Sequence, residues 1–399
     1  MESIAGIAVQ PRAERAAALP WPLGLLLLGS TSIVVGLLWD ISWHMSIGRD
    51  TFWTSAHMAI YLGGVLAGIS GGWMALKTTF RGTPDETGVA VRFWGFRAPL
   101  GAWVAIWGAL AMITSAPFDD WWHNAYGLDV KIISPPHTVL AVGMIGIQIG
   151  TMLLALAWQN RTPALESRKN QARPLELAFV YSAGVVLLMI VTFLTEYVYP
   201  NDQHASQFYR VTAAVLPVFL VAVARASRLR WAATLAAASY MAIALLMVWI
   251  LPLFPAQPML APINNPIDHM APPLFPLLLI VPAAAIDLIF QAMGQATGRG
   301  GKRSRWWLAP VLATAFLALF FVTQWNFSSF QLSPASRNRL FAGDMQWSYS
   351  SSPNSYRYEF WDADEDPVTP GRMGTAWLLA TAASLAGLGW GSYMARVQR

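Results

Sequence analysis

Cysteine is absent from the 399 residues, so the chain can build no disulfide, thiolate metal site or cysteine nucleophile. Charge is scarce too: Asp, Glu, Lys and Arg make up 12%, against about 25% in an ordinary soluble domain. That excludes a surface facing water on all sides. What is there instead is apolar, 55% of the residues. It comes in runs long enough to cross a bilayer, which takes about 20 residues as helix. The net charge of +5 then reads as basic residues arranged around a lipid bilayer, with no nucleic acid as partner.

About ten such runs follow one another, at 21–44, 54–76, 98–116, 136–158, 176–198, 206–224, 231–253, 272–293, 306–326 and 373–395. The pattern predicts an all-α, polytopic membrane bundle. Many of the 20 tryptophans fall near run ends, where their amphipathic rings anchor at the interface. Arg12 and Arg15 precede the first run with no cleavage site after it, so Trp21 to Trp39 reads as a retained span. Basic clusters occupy alternate connections: Lys77/Arg81/Arg92/Arg97, Arg161/Arg168/Lys169/Arg173, Arg225/Arg228/Arg230 and Arg299/Lys302/Arg303/Arg305. The positive-inside rule then puts both termini in the cytoplasm and the protein in the plasma or inner membrane. The organisation read from this is a cytoplasmic segment 1–20, two helical hairpins over 21–160, and further helices with incomplete repeats of the hairpin over 161–326. An extracytoplasmic loop 327–372 and a last helix with a cytoplasmic tail, 373–399, complete it. In that loop Asp362, Asp364 and Asp366 alternate without the glycine and distal Glu of an EF-hand, so the run reads as solvated and touching a partner subunit. Asp287, late in the eighth run, reads as solvated near the cytoplasmic interface in preference to a proton-relay acid.

The six histidines, His44, His57, His123, His137, His204 and His269, all fall on the outer side of this arrangement. Two outer connections share a template: Asp, three residues, His, three residues, Gly, one residue, Asp, then His after six or seven more. Asp40, His44, Gly48, Asp50 and His57 fill it once; Asp119, His123, Gly127, Asp129 and His137 fill it again. The copies lie about 80 residues apart, as an internal repeat of a helical hairpin. Asp and His at i and i+4 lie above one another on one helix face, and the later His opens the returning helix. Two imidazoles and a carboxylate converging there are competent metal ligands. A single His at a span end commonly just faces water; the second copy favours metal binding.

His204 and His269 open later spans in the position of His57 and His137, but neither preceding helix offers a matching Asp-x3-His. An interfacial structural histidine is the favoured reading for both, a further metal ligand the other. Met45, Met58 and Met270 each follow a histidine; thioethers suit Cu(I), yet adjacent helical residues point about 100° apart, so packing is their expected role.

Asp40-Ile-Ser42-Trp43-His44, with Arg49-Asp50-Thr51, Thr54 and His57, resembles the C subunit of the copper membrane monooxygenases, which include particulate methane monooxygenase and ammonia monooxygenase. The resemblance covers about 25–160 and is dense only over 40–61. It implies a copper site at Asp40, His44 and His57. It implies a second at Asp119, His123 and His137, with Asp where that family has Asn. Copper rests on the resemblance, because iron and zinc accept the same donors.

The leading expectation is therefore a metalloprotein binding copper at the outer face, a subunit of a monooxygenase-type enzyme that oxidises a small apolar substrate of the methane, ammonia or short-hydrocarbon class. Asp50 and Asp129 are expected to orient imidazoles through their other nitrogen, and Arg49 to pair with Asp50. Trp39, Trp43, Trp53, Trp121 and Trp122 are expected to form a dry wall. Other membrane subunits and an electron donor follow as partners. The alternative is a copper-handling protein for transport, storage or chaperoning. A third reading is a structural subunit whose metals pin the hairpins.

Overall fold

The computed structural model describes residues 19–127, 134–162, 169–260, 262–294, 306–352 and 355–398. Four long helices form the first half: α1 (Trp21–Ser46), α2 (Ser55–Arg81), α4 (Leu100–Tyr126) and α5 (Pro135–Arg161). Between α2 and α4 lie a short helix, α3 (Pro84–Val89), and a two-stranded hairpin of β1 (Val91–Phe93) and β2 (Phe96–Ala98). The hairpin turns on Trp94 and Gly95, both at positive φ, the two-residue turn whose twist suits antiparallel strands. Prolines start the helices where a missing N–H costs nothing: Pro22 in α1, Pro135 in α5 and Pro370 in the last helix. A helix of 27 residues rises roughly 40 Å, more than the ~30 Å hydrocarbon core. The ends of these helices thus reach the interface, where polar side chains are solvated.

Within each hairpin the helices approach through glycine. A Cβ at Gly29 would meet the Gly63 carbonyl, and Gly108 and Gly143 face one another with backbone contact on both sides. Small residues let membrane helices come close where lipid offers no hydrophobic drive. This close pairing sets the start of α2 against the end of α1, and the start of α5 against the end of α4.

The second half comprises α6 (Lys169–Phe193), α7 (Ser206–Ala226), α8 (Ala232–Ile250), α9 (Ile280–Ala292), α10 (Leu308–Gln331) and α11 (Pro370–Met394). Eight described helices are long and apolar enough to span a membrane, which makes the protein a multi-pass helical bundle. Two of the ten expected runs differ. α11 is helical over 25 residues, but Gly, Ala, Ser and Thr dilute its apolarity, and Gly387 and Gly391 press it against α7. The run 272–293 is only half helix: α9 has 13 residues, and the chain before it is extended. Pro272, Pro273 and Pro276 explain this, since proline lacks the N–H that a helix needs.

Extended backbone among packed helices needs partners for its polar groups, and side chains of the spans supply them. The Ser42 hydroxyl donates to the Ala271 carbonyl at 2.5 Å, and the Ala271 N–H donates to Ser46 Oγ at 2.7 Å. Leu277 N–H donates to the Tyr240 hydroxyl at 2.9 Å, and Leu278 N–H to Gln324 Oε1 at 3.0 Å.

Asp287 is buried, neither solvated nor placed in a relay. Its carboxylate accepts from the N–H groups of Ala233 and Thr234 at 3.2 and 2.8 Å and from the Thr234 hydroxyl at 2.7 Å. It therefore caps the first turn of α8 from α9. Asp287→Ala should lower stability by about 1–2 kcal/mol, the usual range for a lost cap, and Asp287→Asn by less. Unfolding in detergent micelles reads the difference.

The acidic run in 327–372 is not simply solvated either. Asp366 accepts from the Ser206 hydroxyl and the Gln207 N–H at 2.8 and 2.6 Å, and pairs with Arg210 and Arg372 at 3.3 and 2.9 Å. Burial pushes its carboxyl up, but these hydrogen bonds and guanidinium charges outweigh burial and hold it below its usual value. A folded pKa below the unfolded one, about 3.9, contributes stability above that pH and loses it as pH falls through the folded value. Limited proteolysis of 327–372 should thus be slow near neutrality and faster below about pH 4. Asp366→Asn should be cut quickly at both.

Candidate metal centre

Asp40 and His44 stand one turn apart at the end of α1, and His57 lies in the first turn of α2. The link between them turns at Gly48, φ +83°, and is held by the Trp43 indole N–H donating to the Arg49 carbonyl at 2.7 Å. Thr51 and Thr54 close it with reciprocal bonds of 2.8 and 2.9 Å. This brings Asp50 inward. His57 Nε2 lies 3.2 Å from Asp40 Oδ1 and 3.3 Å from Asp50 Oδ2, and His44 Nε2 lies 3.4 Å from Asp50 Oδ2 and 3.9 Å from Asp40 Oδ2. The donor atoms of Asp40, His44 and Asp50 all lie within 4.8 Å of one another.

The His57 tautomer follows from its other nitrogen. Nδ1–H donates to the Thr51 carbonyl at 2.9 Å, so in a neutral ring Nε2 carries a lone pair. That lone pair faces two carboxylate oxygens, one of which, Asp40 Oδ1, is buried without a hydrogen-bond partner. Oxygen and nitrogen lone pairs face each other at this range only with a positive centre between them, a proton or a metal ion. Either leaves Asp50 ionised: the His44 bond first, then that from His57, holds its carboxyl well below the usual range.

The second cluster repeats the arrangement, with three donor residues among the described ones. His123 Nε2 lies 3.5 Å from Asp119 Oδ2, and His137 Nε2 lies 3.4 Å from Asp119 Oδ1. The three residues again have donor atoms within 4.8 Å of one another. His123 Nδ1–H points to the Gly127 carbonyl at 3.3 Å, and Ser134 caps α5 by accepting the His137 N–H at 3.3 Å. Asp129 lies outside the described residues.

Several expectations change here. Asp50 does not orient an imidazole through Nδ1; it faces the same Nε2 atoms as Asp40, and the Thr51 carbonyl takes the orienting place. Arg49 forms no ion pair with Asp50 among the described residues and contributes its carbonyl instead. Of the five tryptophans expected around the ligands, Trp39, Trp43 and Trp122 are half-buried, Trp53 and Trp121 are 73% and 54% exposed, and the His44 side chain is half exposed. His204 is sandwiched between the rings of Trp325 and Phe360 at 3.6 and 3.5 Å, with Nε2 near the Trp325 carbonyl and the Ser329 hydroxyl. His269 pairs with its exposed neighbour Asp268 at 2.9 Å and joins no wider donor group among the described residues. Met270 is buried in the core.

Two contributors escaped the sequence reading. Tyr61 follows His57 by one turn, its ring 6.1 Å away. Its i+4 spacing from His57 was the available signal. Tyr349, from the long connection, packs its hydroxyl where a Cβ on Gly48 would be, and its N–H donates to the Met45 carbonyl at 2.9 Å. No sequence pattern announces a partner so distant. Comparison with protein-family models, curated proteins and solved structures returns no match.

Proposed function

We propose that this multi-pass membrane protein binds copper at the two clusters, with Asp40, His44, Asp50 and His57 holding one ion and Asp119, His123 and His137 the other. The observation that supports metal binding is the convergence of the Asp40, His44 and Asp50 donor atoms within 4.8 Å of one another, with His57 Nε2 3.2 Å from Asp40 Oδ1, a set of nitrogen and oxygen donors that suits a metal ion. Copper as the ion rests on the resemblance to the copper membrane monooxygenases. Bound there, it would supply one-electron redox chemistry toward dioxygen in the oxidation of a small apolar substrate such as methane, ammonia or a short hydrocarbon.

The residues divide the work. Thr51 and Gly127 hold the two imidazoles through Nδ1, which keeps Nε2 basic and aimed. The carboxylates balance the ion's charge. The exposed His44, Trp53 and Trp121 leave the clusters open-sided, as a subunit completed by other membrane subunits and an electron donor would be. In this reading the histidine end faces away from the cytoplasm, both termini lie inside, and the protein sits in the plasma or inner membrane.

The same openness favours a second reading, a copper-handling protein whose sites exchange metal with the surface. Elemental analysis of purified protein beside a His44→Ala/His123→Ala variant tests the metal. Two coppers per chain, lost in the variant, support it; zinc or iron removes the copper assignment, and no metal after reconstitution removes both readings. Dioxygen consumption with substrate and reductant, by the copper-loaded protein with its membrane partners, separates oxidation from copper handling.

A further inference from the structure

The β1–β2 hairpin joins α2 to α4 at the ends of these helices away from the metal clusters. Two of its features are unfavourable for a hairpin standing in water. Its register sets Arg92 directly opposite Arg97, both exposed, and like charges in that position repel. Among the described residues no carboxylate pairs with either guanidinium; Glu86, on the preceding helix, is taken by Lys77 at 2.9 Å. The turn also places Trp94 at φ +45°, a conformation that favours Asn, Asp or Gly and strains a bulky residue. Yet Trp94 is 82% exposed, so contacts within the chain do little to offset that strain.

The hairpin lies back along the helices. The Trp103 indole N–H donates to the Val91 carbonyl at 2.9 Å, and the Arg97 N–H donates to Thr79 Oγ1 at 2.8 Å. Side chains alternate across a strand, so Phe93 and Phe96 share one face and Arg92 and Arg97 the other. Phe93 meets Trp103 and Trp107 of α4 at 5.5 and 5.4 Å, and Phe96 meets Phe80 of α2 at 6.3 Å. The Trp94 ring reaches Trp107 at 6.2 Å, about 10 Å along α4 from its start. A helix of roughly 40 Å centred on a ~30 Å hydrocarbon core projects only about 5 Å at each end. That depth puts the Trp94 ring at the edge of the acyl chains and the arginine face among headgroups.

We propose that the hairpin binds one anionic phospholipid, whose phosphate bridges Arg92 and Arg97 while the Trp94 ring inserts beside Trp107. Phosphate oxygens accept paired N–H bonds from guanidinium groups, and an anion between the two arginines cancels their repulsion. Insertion gives the indole the interfacial setting it prefers, which offsets its strained turn. A cation pair next to an exposed aromatic tip matches a headgroup together with its chains; free phosphate would use the arginines alone. The site is independent of the metal clusters and of the function proposed for them.

Native mass spectrometry of the full chain in a neutral detergent, titrated with phosphatidylglycerol or phosphatidylcholine, reads the headgroup. Wild type should bind one phosphatidylglycerol at least tenfold more tightly than Arg92→Gln/Arg97→Gln, and phosphatidylcholine should not tell the two apart. Arg173→Gln/Arg396→Gln removes the same charge from exposed positions elsewhere and should bind like wild type. Depth is read in nanodiscs containing phosphatidylglycerol by a nitroxide on Trp94→Cys, a clean label because the chain has no cysteine of its own. That nitroxide should be relaxed more by dioxygen than by an aqueous nickel chelate, and one on the exposed Gly88→Cys should show the reverse. Equal weakening in both double variants, displacement of phosphatidylglycerol by inorganic phosphate at the same concentration, or nickel access at position 94 matching that at 88 overturns the inference. The nitroxide pair carries the test alone if the arginine variant does not fold.

Discussion

Asp40→Ala is expected to empty the first cluster at only a small cost in stability to the metal-free protein. The two halves of this result have different causes. With an ion bound, Asp40 is one of the carboxylates nearest His57 Nε2, and losing it removes a ligand. Losing even an outer partner of a ligand costs about 10–100-fold in affinity, so this loss should reach the upper end of that range or beyond. Without an ion, a proton on His57 Nε2 lets Asp40 and Asp50 both pair with that ring, at 3.2 and 3.3 Å. Removing Asp40 gives up one of these pairings, while Asp50 still pairs with both imidazoles. Copper at a hundred times its dissociation constant should stabilise wild type by about 2.7 kcal/mol and the variant by far less. The opposite pattern, a variant strongly destabilised without metal and a wild type indifferent to copper, would make the cluster an ion-pair network that holds the hairpin and nothing more. Melting curves with and without copper decide, and Asp40→Asn controls for volume.

The sequence carried the helical part of these clusters because periodicity governs it. Asp and His four apart must share a face, and a short link must return the next histidine nearby; Asp40, His44 and His57 meet for that reason, as do Asp119, His123 and His137. Asp50 was misread because a turn residue has no periodicity to orient it. Its direction depends on the positive φ of Gly48 and on one indole bond from Trp43 to Arg49. The run 272–293 was read as a full span because hydropathy cannot tell an apolar helix from an apolar extended chain. Its prolines were the local warning, and the side chains that supply its hydrogen-bond partners, Ser42, Ser46, Tyr240 and Gln324, are scattered over three other helices. Asp287 and Asp366 escaped for a related reason. Apart from Arg372 beside Asp366, their partners lie 53 and 54, or 156 to 160, residues away, so the setting of these acids is a property of packing and not of the local pattern.

Gly48→Ala should damage the first cluster more than Gly127→Ala damages the second, although the two glycines occupy matching places at φ +83° and +85°. Both substitutions put a side chain where L-residues are strained, at about 1–3 kcal/mol. At Gly48 the new Cβ also collides with the hydroxyl end of Tyr349, while none of the described residues stands within 4 Å at Gly127. Tyr349 is 9% exposed, and its backbone is bonded to Met45 on one side and to Asn264 and Asn265 on the other, so it cannot simply swing away. The collision should therefore move the Gly48 turn, and with it the carbonyl of Thr51 that aims His57 and the carboxylate of Asp50. In Gly48→Ala the first cluster should lose at least tenfold in copper affinity, with the second unchanged. Adding Tyr349→Phe, which removes the nearest atom, should restore part of that affinity but none of the backbone strain. A double-mutant cycle measured by both copper affinity and melting temperature separates the two effects: coupling between positions 48 and 349 in affinity makes the long connection a clamp on the metal turn, and strict additivity would leave it a bystander.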